Sequence, residues 1–246
     1  VNLRPRFFEL GLGVRDQGAR PSCAIYAIVT ALEFQSAQST GTVLNFSEDY
    51  LIWATRKTTQ RIPPNAPVAA SPAEKGEETV DEGFILSEVV VALRAYGIAQ
   101  QEQVPNSRGR FAGIATPTEE IVNAARQQQA VAIHTIPGRD ARTRLTNIVH
   151  ALNAGIPVPI GLAWPHWRGI RNGILSVQKP QENAWHAVTV VGYRCPSGSL
   201  EGTQFIFKNS WGGAWGQGGY GTATYGYLEQ HLEEAILLEL SSRGVP

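Results

Sequence analysis

Three side chains that could carry out nucleophilic catalysis lie far apart in the sequence. Cys23 begins the almost wholly apolar run CAIYAIVTALEF, His186 opens HAVTVVGY, and Asn209 immediately precedes SWGG. The N–H groups and dipole at the start of a helix favour a thiolate, and a neighbouring imidazolium lowers the thiol pKa further. Such a pair attacks an acyl carbon, after which His186 protonates the leaving amine and later activates water. An amide oxygen of Asn209 would orient the imidazole.

This chemistry also needs hydrogen-bond donors for the oxyanion that forms on the substrate. The backbone N–H of Cys23 and the side-chain amide of Gln17, six residues earlier, are the expected donors. Trp211 is expected to cover the bond between His186 and Asn209. Cys23, His186 and Asn209 each have an ordinary interpretation when taken alone. Cys23 fits a buried small hydrophobe, His186 a core histidine and Asn209 a turn residue. Their combination is what indicates catalysis.

The first part of the chain is predicted to be mainly helical. Ser22 is the expected N-cap of an apolar helix that begins at Cys23, and a second helix is expected after Ser47. A third helix, with apolar residues at positions 86, 89, 90 and 93, is expected to end before Gly97. These three helices predict a helical half over residues 1–110.

The second part of the chain changes character. Short helices are expected near residues 118–127 and 145–152, followed by strands in VPIGLA, HAVTVVGY and QFIFKNS with glycine-rich turns between them. This pattern predicts an antiparallel sheet or barrel over residues 111–246. The whole chain, 1–246, is expected to form one α+β unit.

Composition excludes several classes of partner. The 21 basic and 21 acidic residues cancel, and no Lys/Arg-rich block is present, so no nucleic-acid partner is predicted. No apolar run approaches the roughly 20 residues that cross a bilayer, so we expect a soluble domain without a membrane span. Four histidines, at positions 134, 150, 166 and 231, lack metal-ligand spacing, so neither a metal nor another cofactor is predicted. The oligomeric state stays open.

Two features bear on processing and on the shape of the molecule. The chain begins at Val1 and contains no methionine, so we expect that an initiator, signal or pro-segment has been removed, and both a secreted and a cytoplasmic location stay open.

The stretch from Thr58 to Glu82 is rich in Pro, Ala, Glu and Thr without apolar periodicity. It is predicted to be a long exposed loop that is not a domain boundary and that shapes one end of a cleft.

Three blocks of the sequence resemble a known family. QGARPSC, WHAVTVVGY and FKNSWGGAWGQGGYG are similar to the active-site blocks of papain-like cysteine peptidases, in that family's order. FSEDYL and DEGFILSEVVVALRAYGI resemble intervening family segments, so the likeness covers most of the chain. It implies an α+β, papain-like fold, in which a mainly helical half packs against an antiparallel β-barrel-like half with the active-site cleft between them.

The resemblance also implies roles for individual residues. Cys23 would be the nucleophile, His186 the general acid and base, Asn209 the orienting residue and Gln17 the oxyanion donor of a peptidase that works through an acyl-enzyme. The expected partners are a peptide or protein substrate and a removed pro-segment or proteinaceous inhibitor.

The same resemblance implies a set of substrate-binding residues. Gly83 would present its backbone to an extended substrate. Phe84, Ala184 and Ala187 fall where the family builds the pocket for the second residue before the scissile bond, which implies an apolar preference. Trp185 and Trp211 complete the expected binding set.

The segment around the nucleophile departs from the family pattern. Arg20 stands where the family has a disulfide-forming cysteine, and Ala24 replaces a bulky aromatic residue. These changes indicate a reduced, bacterial-like subtype with altered packing at the cleft. Cys195 matches no catalytic position and is expected to be free.

Three functions remain open at this stage. The leading hypothesis is a thiol peptidase, expected to be an endopeptidase. The altered flank of Cys23 keeps open a catalytically silent papain-like module that binds peptides. A third possibility is an acyl-transfer enzyme, a ligase or crosslinker, because an amine can intercept an acyl-enzyme in place of water.

Overall fold

The computed structural model describes residues 1–60, 83–107, 113–127, 131–138, 140–166 and 169–240. The predicted exposed loop falls almost wholly on residues 61–82, which lie outside the described residues. The helices are α1 (Arg4–Glu9), α2 (Cys23–Thr40), α3 (Glu48–Thr58), α4 (Leu86–Tyr96), α5 (Glu119–Gln127), α6 (Ala141–Asn153) and α7 (Tyr225–His231). The strands are β1 (Val131–Thr135), β2 (Val158–Pro165), β3 (Ile174–Leu175), β4 (Pro180–Arg194), β5 (Gln204–Lys208), β6 (Tyr220–Thr224) and β7 (Leu232–Leu240).

The helix α2 is buried on nearly every face, as its continuous apolar sequence predicts. It packs against α3 and α4 on one side and against the sheet on the other, where Thr189 Oγ1 donates to the carbonyl of Ala27 at 2.9 Å. The helix begins at Cys23 as predicted, but the hydroxyl of Ser22 makes no capping hydrogen bond because Ser22 is not in the extended conformation that capping needs. This packing fixes the first turn of α2 against β4.

The predicted ends of α3 and α4 are confirmed. Ser47 Oγ accepts the backbone N–H of Tyr50 and so caps α3. Gly97 ends α4 with φ of 65°, and a Cβ at this position would come 2.1 Å from the carbonyl oxygen of Ala125. Only glycine combines this backbone conformation with so close an approach.

The strands form one seven-stranded sheet in the order β1-β7-β2-β4-β5-β6-β3. The pairs are antiparallel except for the parallel pair of β3 with β6. The α+β class is confirmed, and over the described strands the sheet is open and does not close into a barrel. Its central strand, β4, carries His186 directly opposite Leu162 of β2.

Apolar side chains fill both faces of the sheet. One cluster joins α2, α3 and α4 to residues of β4 and β7, and a second joins α6 and α7 to β2, β4 and β5. The N-terminal segment also reaches the sheet, where the N–H of Leu3 donates to the carbonyl of Val191 at 2.8 Å. A division into halves at residue 110 stays a prediction. Within the described ranges, no helix combines the length and the apolarity that crossing a membrane requires.

Candidate active site

Cys23 lies where α2 meets the sheet. It is the first helical residue, and its thiol lies beside the backbone N–H groups of Cys23, Ala24 and Ala187. A cavity of about 570 Å³ opens beside it, and His186 and Phe84 are among the lining residues. The helix start therefore brings the thiol and the imidazole to one cavity from positions 163 residues apart.

His186 and Asn209 come together because β4 and β5 are neighbours in the sheet. His186 lies within β4 and Asn209 directly follows β5, so their side chains meet at the same end of this pair. His186 Nε2 lies 2.7 Å from Asn209 Oδ1, and both residues are buried. The backbone N–H of Asn209 donates to the carbonyl of Gly219 at 2.9 Å, which fixes the amide against the glycine-rich turn.

Two indole rings enclose this hydrogen bond. The ring of Trp211 lies 4.5 Å from that of His186, as expected for a side chain that covers the pair. Trp164 of β2 lies at the same distance in an edge-to-face arrangement, although it was not among the candidate site residues of the sequence. Its position depends on the pairing of β2 with β4, which no local pattern reveals.

Gln17 is held by the segment that follows Asn209. Its backbone N–H donates to the carbonyl of Ser210 at 2.8 Å, and Ser210 Oγ donates to Gln17 Oε1 at 2.6 Å. Gln17 Nε2 donates to the carbonyl of Arg20 at 2.8 Å. The N–H of Ser210 also donates to Asn209 Oδ1 at 2.8 Å, so this serine, which sequence reasoning did not single out, links two candidate catalytic side chains.

The expected substrate-binding residues divide into two groups. Gly83, Phe84, Trp185 and Ala187 line the cavity, and the side chain of Trp185 is largely exposed. Ala184 and Trp211 are not among the described lining residues: Ala184 precedes Trp185 in β4, and Trp211 packs on His186.

Arg20 occupies the position at which the family resemblance implied a cysteine. It is 2% exposed, and its guanidinium lies 3.4 Å from Asp49 of α3. Asp49 in turn accepts the N–H and the hydroxyl of Ser107 at 2.9 and 2.6 Å. A buried ion pair thus anchors the segment before Cys23. Cys195 is a free thiol whose Sγ donates to the carbonyl of Ser199.

Burial disfavours a single charge on either reacting group. It raises the pKa of the Cys23 thiol, although nearby backbone N–H groups oppose the shift. It lowers the pKa of His186 to about 4, although the hydrogen bond with Asn209 opposes that shift. A proton that moves from thiol to imidazole leaves the net charge of the pair unchanged, so charge arises most easily as an ion pair.

A metal centre has no evident place in the described part of the chain. Among the described residues, no three His, Cys, Asp or Glu side chains lie close enough together to hold a metal ion. The arrangement supports covalent chemistry at Cys23 by protein side chains.

The chain matches one protein family over most of its length. The family model described as "Papain family cysteine protease" matches residues 11–237. A search of curated proteins found no match.

Several solved structures share the fold. Xylellain, a cysteine protease from Xylella fastidiosa, is 20% identical with a TM-score of 0.72, over 98% of this chain and 85% of that chain. The bromelain protease from Ananas comosus, solved with the E64 inhibitor, is 16% identical with a TM-score of 0.65, over 98% of both chains. Digestive procathepsin L 3 of Tenebrio molitor is 21% identical with a TM-score of 0.60, over 93% of this chain and 66% of that chain.

Proposed function

The chain belongs to the papain family of cysteine proteases, and we propose that it hydrolyses peptide bonds through an acyl-enzyme on Cys23. His186 acts as the general acid and base, Asn209 orients the imidazole, and Gln17 donates to the oxyanion. The substrate is a peptide or protein segment that lies extended in the cavity, and a proteinaceous inhibitor or pro-segment binds the same place.

The contact of 2.7 Å between His186 Nε2 and Asn209 Oδ1 carries this proposal. Asn209 Oδ1 can only accept a hydrogen bond, so it holds the proton on Nε2. Nδ1 is then the ring nitrogen that exchanges a proton with the thiol. A hydrogen-bonded orienting residue of this kind is what an imidazole base needs.

The reaction proceeds in two halves. The thiolate of Cys23 attacks the peptide carbonyl carbon and forms an S–C bond, while the imidazolium of His186 gives its proton to the departing amine. Water then gives a proton to His186 and attacks the thioester, which breaks the S–C bond and releases the acid. The thiol recovers its proton from the imidazolium.

Gln17 is suited to stabilise the oxyanion in both halves. Ser210 holds its amide oxygen at 2.6 Å, which orients the NH₂ group without competing for it. One amide hydrogen is used on the carbonyl of Arg20, and the other remains for the substrate. The backbone N–H of Cys23 is the second donor.

Peptide-library hydrolysis read by mass spectrometry tests the proposed function. We expect the wild-type protein to cleave and the Cys23→Ala variant to lose essentially all turnover, whereas Cys195→Ala, which removes the other cysteine, retains it. Cleavage by Cys23→Ala at the wild-type rate would contradict the proposal. Adding a primary amine separates hydrolysis from acyl transfer, because a transferase yields the amide instead of the acid.

We further propose endopeptidase action by a single unit with halves over 1–110 and 111–246. An endopeptidase cleaves internal bonds of peptides blocked at both ends, and cleavage confined to terminal residues would contradict this part. The stretch 58–82, of which 61–82 lie outside the described residues, is the candidate modulator. Deleting most of it is expected to change the cleavage preferences, and unchanged preferences would make it a surface insertion.

A further inference from the structure

The backbone carbonyl of Arg20 links the proposed oxyanion donor to the start of α2. It accepts a hydrogen bond from Gln17 Nε2 at 2.8 Å and another from the backbone N–H of Ser22, the residue before the nucleophile, also at 2.8 Å. Ser22 Oγ adds a longer contact of 3.4 Å to the same oxygen. A shift of this one carbonyl would therefore move the side chain of Gln17 relative to Cys23.

Two contacts are needed to orient the amide of Gln17. Ser210 Oγ holds the amide oxygen at 2.6 Å, but the amide plane can still turn about that single bond, because the terminal torsion of a glutamine is soft. The bond from Gln17 Nε2 to the carbonyl of Arg20 fixes this rotation. The position of the Arg20 carbonyl thus determines the direction of the second N–H of the amide, which is the one proposed to meet the oxyanion.

The segment that carries this carbonyl has little regular structure of its own. Residues 17–22 form turns and bends between the isolated bridge at Asp16 and the first turn of α2. Such a segment lacks the repeated backbone hydrogen bonds of a helix or a sheet, so side-chain contacts contribute much of what holds it in place. Arg20 is one of the largest fully buried side chains among the described residues, and it is the anchor at this point.

The side chain of Arg20 is anchored to α3. Its Nη1 lies 3.4 Å from Asp49 Oδ1 and donates at the same distance to Ser107 Oγ. Asp49 is itself held, because its Oδ2 accepts the N–H of Ser107 at 2.9 Å and its own N–H donates to Asn106 Oδ1 at 3.1 Å. The segment before the nucleophile is therefore tied to a helix whose described residues line no part of the cavity beside Cys23.

This ion pair is better suited to fixing a position than to adding stability. The cost of removing two charges from water offsets much of their attraction, so a buried ion pair is weak evidence for stability. An arginine that is only 2% exposed, with its guanidinium held by a fixed carboxylate, nevertheless restricts where its own backbone can lie.

We propose that Arg20 is a positioning residue for the oxyanion hole, because its ion pair with Asp49 places the carbonyl that orients Gln17. The guanidinium acts through Gln17 and does not touch the substrate. This proposal rests on the proposed function, since the oxyanion forms only in that reaction.

Steady-state kinetics of a paired variant test the proposal. Arg20→Met combined with Asp49→Asn removes the ion pair without leaving an unpaired charge in the interior. We expect kcat to fall by about 10–100-fold with little change in KM, because a displaced donor weakens stabilisation of the transition state more than substrate binding. Ile148→Ala forms a cavity in the core between α6 and the sheet, so it is the control for lost stability and keeps the wild-type kcat while it is folded.

The same substitutions in a Gln17→Ala background separate positioning from a general structural role. If Arg20 acts through Gln17, the paired substitutions change kcat by less than about twofold once Gln17 is replaced, because residues that act as one unit are not additive. Alkylation of Cys23 by iodoacetamide below about pH 7 is expected to keep the wild-type rate in the paired variant, because the thiolate and the imidazolium of His186 do not depend on Gln17.

Three results would overturn the proposal: a wild-type kcat in the paired variant, an equal loss of kcat with and without Gln17, or loss of the Cys23 labelling. If the wild-type protein hydrolyses no peptide, the proposed function fails, and NMR of the Gln17 side-chain amide, assigned by its absence in Gln17→Ala, decides on Arg20. Hydrogen exchange of this amide that is about tenfold faster in the paired variant supports the positioning role, and unchanged exchange contradicts it.

Discussion

Two clusters of largely buried polar side chains lie close to each other along the chain and differ in how charge is compensated. The first cluster is Arg15, Glu33, Glu48 and Lys208, and the second is Cys23, His186, Asn209 and Gln17. In the first, Arg15 donates to Glu33 at 2.5 Å and also to Glu48, so each buried carboxylate faces a cation. In the second, the partner of His186 is the neutral amide of Asn209. In the first cluster a cation lies against each carboxylate, whereas the group hydrogen-bonded to His186 in the second cluster is neutral.

The residues of the first cluster come from four parts of the structure. Arg15 lies in the loop before α2, Glu33 in α2, Glu48 at the start of α3 and Lys208 at the end of β5. Lys208 Nζ donates to the carbonyls of Leu12 and Gly13 at 3.0 and 2.7 Å. Lys208 directly precedes Asn209, so this cluster supports the strand end that positions the second cluster.

Removing the cation of the first cluster should have the largest effect on stability. Arg15→Met leaves Glu33 and Glu48 buried without their shared partner, and breaking a buried pair in this way costs about 3–5 kcal/mol. Urea denaturation measures the change in the free energy of unfolding. Arg6→Met is the matched control, because the pair of Arg6 with Glu9 is exposed and is worth only ~0–1 kcal/mol. Equal losses in the two variants would contradict the distinction between the clusters.

Removing a donor from the second cluster should reduce catalysis. Gln17→Ala is expected to lower kcat by about 10²–10³-fold, the usual effect of losing one oxyanion donor. Steady-state kinetics on a peptide substrate measure this, and Gln38→Ala, at an exposed position of α2, serves as the control. A change confined to KM would mean that Gln17 only binds substrate.

The pH dependence of stability sharpens the contrast further. Burial raises the pKa of Glu33 to about 7, and Arg15 only partly opposes this, so the folded state holds a proton that the unfolded state releases above about pH 4.5. The stabilisation that protonated Glu33 gives the folded state is complete below about pH 4.5 and is lost as the pH rises through about 7. Relative to Glu33→Gln, the wild-type free energy of unfolding should therefore fall across this window, by a few kcal/mol (about 1.4 per pKa unit).

The comparison with Glu33→Gln is needed because other ionisable groups also titrate in this range, and their contributions are common to both proteins. Urea titrations of both proteins at several pH values isolate the part that Glu33 contributes. Parallel pH profiles for the wild type and the variant would show that Glu33 does not titrate in this range.

Much of the fold followed from local sequence patterns. The apolar run from Cys23, the cap at Ser47 and the stop at Gly97 predicted the beginning or the end of three helices, because these signals act within a few residues. The strands β2, β4 and β5 were likewise evident from short apolar runs between glycine-rich turns. The last strand was not assigned, because LEEAILLEL lacks the alternation of a half-buried strand.

The site was predictable only in part, for a related physical reason. Cys23, His186, Asn209 and Gln17 stand in recognisable sequence blocks, so they could be singled out without knowledge of the fold. The contributions of Trp164 and Ser210 depend on which strands pair and on which distant segments meet. These are long-range features that the local sequence does not encode.

The central claim is that Cys23 and His186 share one proton as an ion pair, and the rate of Cys23 alkylation across pH tests it most directly. Iodoacetamide labelling, read by peptide mass mapping, needs no knowledge of the substrate. We predict rapid labelling of Cys23 below about pH 7 that is lost in His186→Ala, where the thiol keeps the pKa raised by burial. Labelling only near or above about pH 8.5 in the wild-type protein, or labelling unchanged in His186→Ala, would contradict the ion pair.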